Sequence, residues 1–129
     1  MRYVLDTHAF LWFLTKDARL GSKAALIMTK IDWNEAKAFI PSIVLAEAIF
    51  ILEKKKITGT TFSEIMTKIR RSSNYIIINL DWQILDQIAK HTDIPEIHDR
   101  IIVETAKLFD AQIISKDQTI RDLIPDTIW

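Results

Sequence analysis

Ala38-Phe39-Ile40-Pro41-Ser42-Ile43-Val44-Leu45-Ala46-Glu47-Ala48-Ile49-Phe50-Ile51-Leu52 contains a strand, a break and a helix in direct succession. Proline disfavours helical backbone in the residue ahead of it, so Ala38 to Ile40 reads as a short extended run. Ser42 is placed to cap the helix that follows, through about Lys55. Within that helix Glu47 meets apolar neighbours at every helical offset and has no polar face to lie on. A carboxylate so placed takes a raised pKa or finds a cationic partner, because leaving it unpaired costs several kcal/mol. A salt bridge to a buried Lys or Arg is the plain reading; a functional carboxylate is the one preferred here.

The same alternation extends in both directions. Arg2 to Asp6, carrying Tyr3-Val4-Leu5, is too brief an apolar run for a helix and suits a strand buried on both faces. Ala9 to Leu14 reads as helical, and Ser22 is placed to cap a helix from Lys23 through about Ile31. Gly59 breaks the Glu47 helix, and Thr61 to Arg71 forms another, with Phe62, Ile65, Met66 and Ile69 at helical spacing. Tyr75-Ile76-Ile77-Ile78 is the clearest strand. Asp81 can cap a helix ending near His91, Ile94-Pro95 is a break, and a helix runs from His98 to Phe109. Ala111 to Ser115 is a strand, Thr119 to Leu123 a short helix, and Thr127 to Trp129 a last extended piece. Short apolar strands alternating with helices imply an α/β fold, a three-layer α/β/α sandwich around a parallel sheet, with right-handed crossovers. In such sheets sites form beyond the carboxyl ends of the strands.

At 129 residues and 49% hydrophobic content, the chain has the size of one globular domain, expected to span residues 1–129. It contains no cysteine, which removes disulfides, thiolate metal sites and cysteine nucleophiles and fits a reducing compartment; a soluble, cytoplasmic protein is expected. No apolar run approaches the roughly 20 residues needed to cross a bilayer. Lys plus Arg equal Asp plus Glu at 17 each, so bulk charge gives no argument for a nucleic-acid partner. Lys54-Lys55-Lys56, with Lys68, Arg70 and Arg71, is the best basic patch and is read as solvated helix ends.

Asp6 closes the first strand, and Asp117 lies two residues past Ile114-Ser115, so both belong at the carboxyl edge of the sheet. Each also suits a helix N-cap. Asp99 opens the helix whose Ile101, Ile102, Thr105, Leu108 and Phe109 face the core; alone it reads as an acid favoured by the helix dipole. Glu47 follows the second strand and can reach the same edge. Carboxylates held together repel, two charges about 4 Å apart costing on the order of 4 kcal/mol at an effective dielectric of about 20, so such a cluster binds cations or protons. Oxygen donors favour a hard ion, Mg²⁺ or Mn²⁺. His8 and His98 lie beside the acids, but neither their spacing nor any cysteine matches a zinc pattern, and a loop or cap role is preferred.

Tyr3-Val4-Leu5-Asp6-Thr7-His8-Ala9, the helix of Ser42 to Glu47, His98-Asp99-Arg100 and Ile113-Ile114-Ser115-Lys116-Asp117, taken in order, resemble the PIN-domain ribonucleases, in particular the VapC-type toxins of toxin–antitoxin pairs. The resemblance covers essentially the whole chain. It implies Asp6, Glu47, Asp99 and Asp117 around one or two divalent metals, with Thr7 and Ser115 as supporting hydroxyls. It also implies an endoribonuclease that cuts RNA by metal-activated water, a homodimer, and an antitoxin that inserts into the active-site groove. Asp6 and Asp99 are then the first-choice direct ligands, and Glu47 and Asp117 act through water or orient the nucleophile. Arg100 is within reach of phosphate, though a surface salt bridge is preferred for it.

Other classes give different expectations. A PIN nuclease outside toxin systems would process RNA in another setting. An aspartyl-phosphate enzyme would use Asp6 as nucleophile and turn over small phosphate esters, but the second acid often found two residues on is here His8. A non-catalytic module would bind RNA or protein and tolerate loss of the acids. For the homodimer, Phe10, Trp12 and Phe13 crowd one short helix, and apolar surface from the early helices is the expected contact, against plain core packing.

Overall fold

The computed structural model describes residues 1–129. Its elements in chain order are β1 (Arg2–Leu5), α1 (Thr7–Leu14), α2 (Ser22–Asp32), β2 (Lys37–Pro41), α3 (Ser42–Glu53), α4 (Phe62–Arg71), β3 (Tyr75–Ile78), α5 (Trp82–Ile88), α6 (Ile97–Leu108), β4 (Gln112–Ile114) and α7 (Gln118–Leu123). The strands form one parallel sheet in the order β3-β2-β1-β4, with Val4 opposite Phe39 on one side and Ile113 on the other. Beyond β4, Ile128 pairs with Ile114. This is the predicted α/β/α arrangement: β1 to β2 to β3 steps one way across the sheet, then the chain crosses back past β1 to β4. Right-handed crossovers therefore place α1 to α4 on one face and α5 and α6 on the other. Val4 and Leu5 of the central strand are fully buried, as a strand covered on both faces requires.

Several boundaries differ from the sequence reading, each for a local reason. α1 starts at Thr7 because Asp6 caps it directly. Gly21, not Ser22, is the N-cap of α2, without a side-chain cap bond, and Ser22 is the first helical residue. Pro41 occupies the N-cap position of α3, and Ser42 is the first residue of that helix. The Ser42 hydroxyl instead accepts the Leu80 N–H at 3.1 Å, tying α3 to the chain after β3. α3 ends at Glu53, where Lys55 turns left-handed at φ 53°; Gly59, at φ 101°, lies in the turn beyond and does not end the helix.

The Asp81 cap expected from the sequence holds, and α4 has a cap that was not read there. Asp81 accepts the Ile84 N–H at 3.0 Å. Thr61 accepts the Glu64 N–H at 3.1 Å while Glu64 accepts the Thr61 N–H at 3.3 Å, a reciprocal capping box on α4. Thr61→Ala is expected to lower stability by about 1 kcal/mol in urea unfolding. A loss of only a few tenths would mean that the box adds nothing to the packing of Ile65 and Ile69.

Phe10 and Trp12 are buried and Phe13 packs partly buried against the core, because α1 lies against both α2 and α3. This corrects the sequence reading of that trio as surface for a dimer. The large apolar side chains left exposed are elsewhere, among them Phe50 on α3, Trp82 and Leu85 on α5, and Trp33 after α2. No helix is long and apolar enough to cross a membrane.

Candidate active site

Asp6 sits where β1 ends and α1 begins. One carboxylate oxygen accepts the Thr7 N–H at 2.7 Å, the local bond of an N-cap. The other accepts the Ser115 hydroxyl at 2.5 Å. Ser115 is fully buried just past β4, and it reaches Asp6 because β4 lies beside β1, Leu5 opposite Ile114. The same Ser115 oxygen accepts the Asp117 N–H at 3.0 Å, and the Asp117 carboxylate accepts the Ile120 N–H at 3.1 Å to cap α7. Asp6 and Asp117 are thus helix caps and neighbours at once, with Ser115 joining them. Thr7, also fully buried, makes no hydrogen bond of full geometry through its hydroxyl, which lies against the Glu47 carboxylate and opposes its raised pKa.

Glu47 and Asp99 arrive from the two helical layers. Burial raises the Glu47 pKa, with Asp6 adding to the effect and His98 opposing it. Asp99 is 9% exposed and its pKa rises to about 6, first through burial, then through the charges of Asp117 and Asp6. His98 stands between carboxylates, Nδ1 at 2.7 Å from Glu96 and Nε2 at 3.9 Å from Glu47. All four predicted acids line one cavity of about 260 Å³ that has no apolar lining residue.

Glu96, Lys116, His8 and His98 complete that lining. Sequence reading passed over Glu96 because it started the helix at His98; α6 begins at Ile97, which makes Glu96 its N-cap residue. Lys116 was visible between Ser115 and Asp117, but nothing local marks it. The His8 pKa is lowered by burial first and by Lys116 next. Arg100 forms no salt bridge: its guanidinium donates to the carbonyls of Ile94 at 2.5 Å and Ile88 at 3.5 Å, clamping the segment between α5 and α6.

The cavity suits a hard divalent cation by donor chemistry: five carboxylates beside two imidazoles, no thiolate, and like charges that add to the effect of burial in raising the pKa of Asp99. No three of its acidic or histidine side chains enclose a common point closely enough to form a finished cage.

The PIN domain family matches residues 3–123. No curated protein matches the chain at the level of sequence. Among solved structures, a toxin–antitoxin complex from Klebsiella pneumoniae is similar at a TM-score of 0.67 and 20% identity, covering 98% of this chain and 96% of that one. VapBC2 from Rickettsia felis, bound to a DNA fragment from its promoter, gives 0.65 and 19%, covering 99% and 96%. The sarcin-ricin loop cleaving toxin VapC20 of Mycobacterium tuberculosis gives 0.68 and 16%, covering 95% of each chain.

Proposed function

The chain belongs to the PIN domain family, and from that premise we propose that it is a divalent-metal-dependent endoribonuclease and the toxin of a toxin–antitoxin pair. One observation carries the chemistry: Asp6, Glu47, Asp99 and Asp117, from four separate segments, line a single cavity that no apolar residue enters. Support for the toxin role comes from the K. pneumoniae and R. felis neighbours, which are toxin–antitoxin assemblies. The proposal covers residues 1–129 as one PIN domain, acting in the cytoplasm as a homodimer with an antitoxin partner.

Asp6 and Asp99 would hold Mg²⁺ or Mn²⁺, and Glu47 and Asp117 would engage it through water or orient the nucleophile. Bound there, such an ion supplies Lewis acidity, activating water and neutralising charge that develops on the phosphoryl oxygens. Ser115 keeps Asp6 aimed through a hydrogen bond to its carboxylate, and Asp117 is held by the same hydroxyl through its backbone. Thr7 offers a buried hydroxyl next to Asp6.

Cleavage of single-stranded RNA is expected to require Mg²⁺ or Mn²⁺ and to stop in EDTA. Full activity in excess chelator, or recovery with Zn²⁺ alone, overturns the metal assignment. The same preparations assayed on a chromogenic phosphate ester separate the aspartyl-phosphate class, which would turn over the ester and spare the RNA. RNA binding that survives loss of the acids, without cleavage by the wild type, would mark a binding module.

A further inference from the structure

Among the residues lining the cavity of acids, Lys116 is the only lysine or arginine. It is exposed on the segment between β4 and α7, and it pairs with none of the carboxylates around it; the ion pairs there belong to His98. Its ammonium stands 4.6 Å from the centroid of the Trp12 ring. Trp12 is 4% exposed on α1, and its ring is fixed from several sides: His8 meets it at 5.3 Å between centroids, Trp129 at 5.9 Å, and the Arg19 guanidinium at 4.7 Å.

An ammonium over an indole face is attracted by the ring quadrupole, more strongly where the ring is shielded from water. A lysine side chain otherwise samples many rotamers, so a rigid ring beneath it narrows where its charge can be. The neighbouring acids have hydrogen-bond partners elsewhere, Asp6 in Thr7 and Ser115, Asp117 in Ile120, and none of them forms an ion pair with the lysine. RNA approaching five carboxylates meets a repulsive field, which a cation for the acids and a fixed positive group for the phosphate together offset. The geometry points to Lys116 as the phosphate-binding cation of this site and to Trp12 as the positioning residue that holds it over the cavity. The assignment rests on the proposed ribonuclease activity. The competing role is structural, Lys116 covering the Trp12 ring with its aliphatic stem.

Lys116→Met keeps that stem and removes the charge, and so distinguishes the two. The probe is a labelled single-stranded RNA oligonucleotide of mixed sequence, titrated in EDTA over a series of salt concentrations and cleaved with Mg²⁺ in a parallel assay. Lys116→Met is expected to raise KM about tenfold with kcat within about threefold of wild type. Its log–log salt slope for binding should be shallower by about 0.7, the value for one lost phosphate contact on a single strand. Trp12→Phe should retain most of the wild-type KM, Trp12→Leu should reproduce Lys116→Met, and the double variant should be no worse than either, because the two side chains act as one unit. A Lys116→Met protein with wild-type KM and salt slope overturns the assignment while leaving the ribonuclease reading intact. Wild-type protein that neither binds nor cuts the RNA overturns both. Should Trp12→Leu fail to fold, Lys116→Met alone decides.

Discussion

Asp99→Asn is expected to lose RNA cleavage by at least about a hundredfold, the upper end of what even an indirect metal partner costs, while metal-free protein melts no lower than wild type. The stability half of this prediction comes from the charge balance around the residue. Asp99 is nearly buried, its pKa rises from an ordinary 3.8 to about 6, and the one opposing influence is His98, whose ring nitrogens face Glu96 and Glu47. A folded-state pKa above the unfolded value means that the native protein binds the proton more tightly. The contribution of Asp99 to stability without metal is therefore greatest below pH about 4, falls between about 4 and 6, and stays reduced above that. Because the carboxylate faces a solvent-lined cavity, the penalty at pH 7 is on the order of 1–2 kcal/mol, which asparagine relieves. Against this, a negative charge in the first turn of α6 gains about 0.3–1 kcal/mol from the helix dipole, so relief outweighs loss or balances it. Added Mg²⁺ should raise the melting temperature of wild type more than that of the variant, since a ligand stabilises only the protein that binds it. Melting curves in EDTA and in Mg²⁺ read both effects. A variant that melts well below wild type in EDTA, with equal responses to Mg²⁺, would identify Asp99 as a member of a buried structural pair, whose loss costs roughly 3–5 kcal/mol.

The largest effect on folding is expected from Phe10→Ala. Phe10 is fully buried on α1, its ring 5.8 Å from that of Tyr75 on β3, so truncation opens a cavity between helix layer and sheet. Such changes cost about 3–5 kcal/mol, a large part of the roughly 5–15 kcal/mol that holds a domain folded. Urea unfolding at two protein concentrations separates this from a contact between subunits. Core packing predicts the same loss at both concentrations; a dimer contact predicts a loss that grows as protein is added, until the variant too is dimeric. Concentration-dependent destabilisation would restore the reading of α1 as an interface.

Much of this molecule depends on interactions that reach no further than one helical turn, and that part was legible. The Asp81 cap is made between residues three positions apart, so composition and spacing were enough to place it; the Thr61–Glu64 box has the same spacing, but the sequence reading put Thr61 inside its helix. The run Tyr75 to Ile78 has only one sensible conformation at its length, and it forms β3 over those residues. The acids Asp6 and Asp117 could be put at strand ends because the strands themselves were short and apolar. The strand order could not be read in this way. β1 accepts β4 as well as β2, and that choice, made by packing whole faces against α6, brings the Ser115 hydroxyl to Asp6 across 109 positions of chain. Partners selected at such distance carry no local mark: Ser42 looked like a helix cap and holds Leu80, Arg100 looked like a surface ion and clamps two carbonyls, and Lys116 looked like any lysine until Trp12 lay beneath it. A side chain's propensity is set by its own backbone and nearest neighbours, whereas its partner is set by which surfaces the folded layers bring within a few ångströms.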